Sequence, residues 1–420
     1  MAFQLHCDSA REERSMTRTP IQLAVILAAA QLSLAAPAHA QETRAEELRQ
    51  AREAKQQAAD PYDPNALEKI LRAVESGGVP LITRDGLYLK LGSLTTGSGF
   101  AYGAGYRTSR LFRRDSAVDV WAGATPKGYW ASEIRVRFPN LADGWVFADT
   151  YARHNYYPQE DYFGLGPDSL RSDQADFTLR SNIFGGRAGV RPYRDVEIGG
   201  TVEYLQPRVS NGTDEAIFSI GDVFDDEAAP GLGDRTDFIR TSAFVNADWR
   251  RPRNARNGGW YRAEFSHYSD RDLGLYSFNR FDVDLRQFVS VLSERRVFVG
   301  RVWASTSDQA DGQTMPFYYM PTLGGNDSLR GYRDYRFRGP HALLIQGEYR
   351  FEIWSGLDAA LFYDTGKVAM RFSDLNLKHL ESDYGFGFRF NTDNGIVLRV
   401  DTALGSRDGK HLWIVFGGTF

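Results

Sequence analysis

The chain has 420 residues, a formal net charge of −4 and 25% charged residues. It contains no basic tract of the kind that binds nucleic acid, so we expect no nucleic-acid partner. After residue 40, no stretch has the ~18 apolar residues that a membrane-spanning helix requires. The 13% aromatic residues and 41 glycines fit a barrel with tight turns. A large soluble β-sandwich shares these averages, so the pattern of residues must decide.

The first 40 residues have the pattern of a secretory signal peptide. Arg18 supplies the positive region, residues 21–34 the apolar core, and Ala38-His39-Ala40 the small-x-small cleavage site. Met16 fits the true start, because the residues before it are polar and match no signal. A buried helix is the alternative, which the N-terminal position and the cleavage site disfavour.

Residues 41–85 are predicted to form a short helical segment. Residues 41–60 are rich in Ala, Glu, Arg and Gln and read as a polar helix, which Asp60-Pro-Tyr-Asp-Pro64 ends. Residues 65–76 form a second short helix with one apolar stripe, ended by Gly77-Gly78. A segment of about 45 residues is too short for a separate soluble domain, whose usual lower limit is ~50 residues.

From residue 86 to residue 420, apolar and polar residues alternate in short segments. Alternation puts the two sets on opposite faces of a strand, so one face meets an apolar phase and the other a polar one. The final segment is an example and ends on an aromatic residue: Leu412, Ile414, Phe416 and Phe420 share a face. We predict sixteen strands, at residues 86–95, 98–108, 116–124, 128–138, 145–154, 175–192, 196–206, 237–249, 258–268, 278–289, 295–305, 341–353, 356–367, 383–391, 395–404 and 411–420.

This pattern predicts an all-β fold, a 16-stranded antiparallel transmembrane β-barrel over residues 86–420, with lipid outside and a polar lumen. Turns after even-numbered strands are mostly short, whereas three loops after odd-numbered strands are long: 155–174, 207–236 and 306–340. Short periplasmic turns and long outer loops are the asymmetry expected of such barrels. The even strand count returns the C-terminus to the periplasm, beside the helical segment.

One predicted loop carries a motif. Residues 323–339 read Leu-Gly-Gly-Asn-Asp-Ser-Leu-Arg-Gly-Tyr-Arg-Asp-Tyr-Arg-Phe-Arg-Gly and lie in the sixth outer loop. The Gly-Gly…Ser-Leu-Arg-Gly-Tyr pattern resembles the signature of the BamA/TamA superfamily, also called the bacterial surface antigen family. The resemblance is strong over residues 320–420. It implies a barrel in the bacterial outer membrane, in contact with outer-membrane lipid and lipopolysaccharide.

The resemblance also implies a structural latch inside the lumen. The loop would fold inward, and Arg330 would bond acidic residues of the inner wall, matched here by Glu348 and Asp364, which both have inward parity. A guanidinium forked between carboxylates makes strong charge-assisted bonds. Gly331 would let the backbone turn tightly, and Tyr332 completes the motif. The alternative is that Arg330 is an ordinary loop arginine in solvent. Even if Arg330 pairs with these acids, the pairing could be purely structural and form no active site.

The chain departs from the family in one respect. BamA, TamA and the two-partner secretion pores carry periplasmic POTRA domains that receive clients, whereas residues 41–85 hold at most two short helices. The chain is therefore expected to resemble the branch without these domains, and a separate periplasmic partner protein could supply one. Insertion or translocation of protein or lipid in outer-membrane biogenesis is the first hypothesis. A passive channel or structural barrel is the alternative, and an embedded enzyme is the third.

Signs of other chemistry are weak. No G-x-S-x-G elbow is present, and the histidines lack metal-ligand spacing. Asp222–Glu227 contains four acids but lacks the spacing and glycine of a calcium loop, which favours a solvated loop. Arg251–Arg256 is predicted to be a solvated periplasmic turn. Cleavage of the signal would remove Cys7, the only cysteine. We therefore expect no catalytic residue, no cofactor and no metal.

Overall fold

A computed structural model describes residues 85–109, 116–250, 255–392 and 395–416. The predicted signal peptide, both predicted N-terminal helices and Phe420 lie outside these residues. Within the described residues, no helix is long and apolar enough to cross a membrane. Helical structure there is limited to single turns, at Ala142–Gly144, Arg171–Asp173, Ile220–Val223, Phe317–Tyr319 and Phe372–Asp374.

Sixteen long strands form the wall of the molecule, and all sixteen predicted strands are confirmed. They are β1 Gly86–Gly92, β2 Ala101–Thr108, β3 Ala117–Ala124, β4 Trp130–Leu141, β5 Val146–Tyr162, β6 Ala175–Tyr193, β7 Val196–Asn211, β8 Phe238–Asp248, β9 Gly258–Asp270, β10 Phe278–Val291, β11 Ser293–Asp308, β12 His341–Trp354, β13 Leu357–Ala369, β14 Glu381–Thr392, β15 Gly395–Ser406 and β16 Gly409–Phe416. Each strand pairs antiparallel with the next along the chain. The fold is therefore an all-β, up-and-down barrel.

The barrel is nearly closed, with a seam between its first and last strands. The ring of Phe100, which precedes β2, lies 4.9 Å from the ring of Phe416 at the end of β16. Among the described residues of β1 and β16, no hydrogen-bonded ladder joins the two strands. Over the part of β1 and β16 that the structure describes, the two edges at the seam thus lie near each other without the ladder of hydrogen bonds that joins the other neighbouring strands.

The alternation of residues sorts side chains between the two faces of the wall. On β10, Phe281, Leu285 and Val289 point outward and are 44%, 37% and 46% exposed. Between them, Asp284 points inward and meets Arg301 of β11, with 2.9 Å between Oδ2 and Nη2. Opposite charges on neighbouring strands stabilise the sheet and neutralise each other inside the lumen.

The two ends of the barrel differ. We call the end with the loops 93–100, 163–174, 212–237 and 309–340 the loop end, and the opposite end the turn end. Most connections at the turn end are short, for example the two residues between β6 and β7 and the single residue between β10 and β11, whereas those after β2 and β8 are longer. The predicted asymmetry of loop lengths is present.

Two predicted loop boundaries are wrong. β5 continues to Tyr162 and β7 to Asn211, so both strands extend past the predicted starts of their loops. The alternation of β5 fails at Pro158-Gln159-Glu160-Asp161, where its register against β6 shifts in a bulge. A bulge changes which side chains face inward, so the alternation of apolar and polar residues is interrupted there. The sequence therefore no longer predicts a strand beyond the bulge, although the pairing with β6 resumes.

The loop end is filled by an apolar core rather than by solvent. Phe317 of loop six is fully buried, and its ring lies 5.0 Å from both Tyr162 and Phe177 on the wall. Ile220 and Ala229 of the fourth loop join the same cluster, and Leu165 of the third loop packs against it. Burying one such aromatic side chain contributes roughly 1.5–3 kcal/mol, so the three loops form a stable cover.

Candidate functional site: an ion-pair cluster inside the barrel

Loop six, residues 309–340, enters the lumen as a hairpin. The two-residue strands Thr322–Leu323 and Phe337–Arg338 pair at its base. Gly324 begins the excursion with a φ of +114°, and a Cβ there would lie 2.2 Å from a backbone oxygen. This position requires glycine, because an L side chain would be strained and would collide.

Arg330 lies at the tip of this excursion, against the inner wall. Its Nε and Nη2 donate to Oδ2 and Oδ1 of Asp364 at 2.6 and 2.8 Å, a two-pronged pair. Its Nη1 donates to Glu348 Oε2 at 3.0 Å, and its Cζ lies 3.5 Å from the ring centroid of Phe362. The side chains of Arg330, Glu348 and Asp364 have no solvent exposure.

The electrostatics of the cluster keep Arg330 charged. Burial alone would lower its pKa, but the carboxylates of Asp364, Glu348 and Asp401 outweigh burial and raise that pKa well above its usual value. Charge-assisted bonds in a site without water are stronger than those at a surface. The group therefore acts as a permanent cation that the wall carboxylates hold.

Further charges extend the cluster around the wall. Glu348 also accepts from Arg389 Nη2 at 2.7 Å and Arg350 Nε at 2.6 Å. Asp401 accepts from Arg389 Nη1 at 2.5 Å and lies 3.3 Å from Arg399 Nε. Sequence reasoning did not assign these four residues. Their inward parity on β12, β14 and β15 was the available signal, but only the register brings them together.

Gly331 and Tyr332 contact the wall in different ways. Gly331 lies in a tight turn, in which the backbone N–H of Tyr332 donates to the carbonyl oxygen of Leu329 at 3.1 Å, but this turn does not place Gly331 at a positive φ. A Cβ on Gly331 would instead lie 2.5 Å from Cβ of Asp383, which makes close approach the reason for glycine. The hydroxyl of Tyr332 donates to Glu381 Oε2 at 2.6 Å.

The last strand also reaches the tip of loop six. Trp413 of β16 donates from Nε1 to the carbonyl oxygen of Arg330 at 2.7 Å. Ser406, at the end of β15, donates its hydroxyl to the carbonyl oxygen of Gly331. β16 forms one side of the seam, so the bond from Trp413 attaches the tip of loop six directly to a strand at the seam.

Two more arginines of the motif hold the upper part of loop six. Arg336 donates to Ser169 of the third loop, at 2.8 Å to the hydroxyl and 2.7 Å to the carbonyl oxygen. Arg338 donates to the carbonyl oxygen of Phe317 at 2.9 Å. Loop six is thus fixed at its tip by the wall and nearer the loop end by the third loop, and Arg338 joins two parts of loop six to each other.

Two other charged segments were considered in the sequence, Arg251–Arg256 and Asp222–Glu227. Arg256 donates to the inward Asp358 at 2.9 Å and is largely buried, so its interpretation as part of a solvated turn is wrong. In the fourth loop, Asp225 accepts the backbone N–H of Ala228 at 2.9 Å. Across the described part of the chain, no group of His, Cys, Asp and Glu residues could hold a metal ion.

Residues 261–408, which contain the whole Arg330 cluster, match the Omp85 superfamily domain. The fold is similar to BamA from Haemophilus ducreyi lacking POTRA domains 1–3, with a TM-score of 0.59, 12% identity, and coverage of 79% of this chain and 69% of that chain. It is also similar to CdiB from Escherichia coli, with a TM-score of 0.52, 13% identity, and coverage of 82% and 69%. No curated protein matches the chain in sequence.

Proposed function

We propose that this chain, whose residues 261–408 match the Omp85 superfamily domain and whose barrel is similar in fold to BamA, inserts or translocates protein or lipid in the bacterial outer membrane. The observation that carries this proposal is that loop six occupies the lumen while the described residues of β1 and β16 form no hydrogen-bonded ladder at the seam. Loop six occupies the lumen and contacts β16 through Trp413. A client would therefore pass along the seam rather than through an open pore.

The outward face supports a position in a membrane. At the turn end, Trp145, Tyr193 and Trp354 are 61%, 75% and 66% exposed. Toward the loop end, outward side chains form hydrogen-bonded pairs across strands: His154–Asn182 at 2.6 Å, His267–Asn279 at 2.8 Å and Thr306–His341 at 2.7 Å. An apolar band between aromatic and polar borders is what a barrel in lipid presents.

The buried arginine supports a latch that keeps loop six in the lumen. Removing one partner of a buried, hydrogen-bonded ion pair is strongly destabilising, because the other charge stays buried without compensation. The acids Asp364, Glu348 and Asp401 would all lose a partner if Arg330 withdrew. Withdrawal of Arg330 alone would therefore be costly, and we expect loop six to leave the lumen as a whole or to stay in place.

A passive channel is the second candidate, and the filled lumen disfavours it. The described loops cover the loop end, and a luminal cavity of about 300 Å³ beside loop six is lined by residues such as Trp303, Ser328 and Leu344. Single-channel recording of the purified mature chain in a planar bilayer separates the two candidates. We expect a silent barrel; steady openings of nanosiemens size would support the channel instead.

The seam can be tested by crosslinking. Cysteines at Phe100 and Phe416 would bridge the seam, and cysteines at the paired outward residues Phe298 and Tyr349 give a control within the wall. The assay is the folding rate of an unfolded outer-membrane barrel in vesicles that contain the protein. We expect the wild type to accelerate folding, the seam crosslink to remove the effect, and the wall crosslink to leave it. Equal activity of both crosslinked proteins would exclude the seam as the route.

A further inference from the structure

The part of the lumen away from loop six has an arginine-rich wall. Six arginines point inward from β2, β4, β5 and β6, and we call them the basic strip: Arg107, Arg135, Arg137, Arg153, Arg187 and Arg191. Their side chains are between 20% and 46% accessible. The arginines around Arg330 are at most 3% accessible. The lumen therefore has a filled sector and an accessible basic sector.

The register confirms that the basic strip lies on one face. Arg107 is opposite Asp119, which is opposite Arg135. Arg137 is opposite Asp149, which is opposite Arg187. The residues between them, such as Val120 and Ile134, are outward and 42% and 47% exposed.

The basic strip has fewer carboxylates than guanidinium groups. Four acids on the same wall each serve two arginines: Asp119, Glu133, Asp149 and Glu197. The sharing is unequal, because Arg107 lies 2.5 Å from Asp119 whereas Arg137 lies 3.8 Å from it. Among the described residues of this wall, the six cations and four anions named above leave a surplus of two positive charges. Lys90, whose Nζ lies 4.3 Å from the Trp121 ring centroid, adds a third.

Aromatic rings hold several of these guanidinium groups in place. Arg135 stacks on Tyr151 with 4.2 Å to the ring centroid, and Arg187 and Arg191 both lie 4.9 Å from Phe147. A stacked guanidinium is planar and oriented, so it loses little conformational entropy when it binds an oxyanion through two N–H groups. The strip is thus organised for planar, two-pronged recognition.

We propose that the basic strip is a binding site for ligands with phosphate groups. The arginines already pair with carboxylates, which carry one negative charge each. A ligand group that competes with them must carry a higher negative charge, and a phosphate group carries up to two. Neighbouring strands lie ~4.8 Å apart and alternate residues ~6.8 Å apart, so adjacent guanidinium groups can bind one phosphate or two linked phosphates. The site requires the folded barrel but does not depend on insertion or translocation activity.

The test is calorimetric titration of the folded mature chain in neutral detergent. Inorganic pyrophosphate is the free ligand, phosphatidic acid in mixed micelles is the lipid ligand, and hexaglutamate is an acidic peptide. We expect pyrophosphate or phosphatidic acid to bind, with affinity falling as salt rises. Whichever of these two ligands binds with the higher affinity shows whether the site prefers a free phosphate or the phosphate of a lipid. Tighter binding of hexaglutamate than of both would overturn the proposal in favour of an acidic polypeptide.

Variants locate the site. The double variant Arg137→Gln, Arg187→Gln should weaken phosphate binding at least tenfold, while the folded protein keeps its gel mobility. The matched control is Arg262→Gln, because Arg262 also lies in the lumen, stacks on Phe244 at 4.6 Å and pairs with Glu264 at 2.8 Å, but lies outside the strip. No binding to the wild type, or equal binding by both variants, would show that the strip has only a structural role.

Discussion

At the scale of single residues, the Arg330 cluster combines strong pairing with a large desolvation cost. A buried ion pair contributes little net stability relative to apolar residues, yet it cannot lose one partner without a large penalty. The pair of Arg330 with Asp364 therefore specifies where loop six lies more than it adds to overall stability. Surface pairs behave differently, because water replaces the lost partner.

Arg330→Ala should lower the stability of the folded barrel by about 3–5 kcal/mol, because three buried carboxylates lose a cation. The measurement is the temperature at which the folded band disappears on gels. Arg371→Ala is the control, since Arg371 is 80% accessible and pairs with Asp374 at 3.0 Å on the surface. Unchanged heat resistance of the Arg330 variant would exclude the latch.

A glycine pair tests close approach at the same site. Gly331→Ala should destabilise the barrel by about 1–3 kcal/mol, because its Cβ would lie 2.5 Å from Cβ of Asp383. Gly347→Ala, on β12 next to Glu348, has nothing within 4 Å of the added Cβ and should leave stability nearly unchanged. The measurement is the urea concentration at the midpoint of unfolding of each variant. Equal midpoints for the two variants would contradict a collision at position 331.

At the scale of elements, strands were predictable and loops were not. A period of two is a local property, so all sixteen strands could be placed from sequence. The inward parity of Glu348 and Asp364 followed from the same period. Asp401 and Arg389 were missed because their approach depends on the register between β14 and β15. The packing of Phe317 on Tyr162 was also beyond prediction, since it depends on how three loops meet.

Loop six also contacts the first loop through a titratable group. Asp334 is buried beside Gly97, where a Cβ would lie 3.1 Å from Oδ2. Burial, reinforced by the charge of Asp161 and opposed by Lys127, raises the pKa of Asp334 to about 7. The folded state therefore binds a proton more tightly than the unfolded chain does between the usual pKa of 3.8 and 7. Stability from this contact is full below about pH 4, declines as pH rises and is lost above pH 7.

Once the rates are divided by the intrinsic amide exchange rate at each pH, residues 93–100 and 326–336 should therefore be less protected from hydrogen exchange at pH 8 than at pH 5. Asp334→Asn should remove most of this pH dependence, because the amide mimics the protonated acid and cannot ionise. Asp374→Asn is the control: its acid lies in another loop, with 47% side-chain accessibility. If the Asp334 variant keeps the pH dependence of the wild type, another group controls the contact.

At the scale of the whole molecule, loop six occupies one sector of the lumen, while the predicted helices of residues 41–76 lie outside the described residues. Either segment could prevent conduction. Two deletions separate them. Replacing residues 325–335 by Gly-Gly keeps the hairpin base of Thr322–Leu323 and Phe337–Arg338. Arg350 and Arg389 still pair with Glu348, and Arg389 and Arg399 with Asp401, whereas Asp364 loses Arg330. The barrel should therefore still fold, with reduced heat resistance.

We expect the loop-six replacement to convert a silent barrel into one with frequent openings in planar bilayers, because the tip residues that occupy the lumen are removed. Deleting residues 41–77 should leave the barrel silent if loop six alone blocks the lumen, and should raise conductance if the N-terminal helices are the plug. Gel mobility before and after heating checks that both variants fold. A folded but silent loop-six replacement would show that the cover formed by Phe317, Tyr162 and Phe177 closes the loop end by itself, since that apolar core would remain in place.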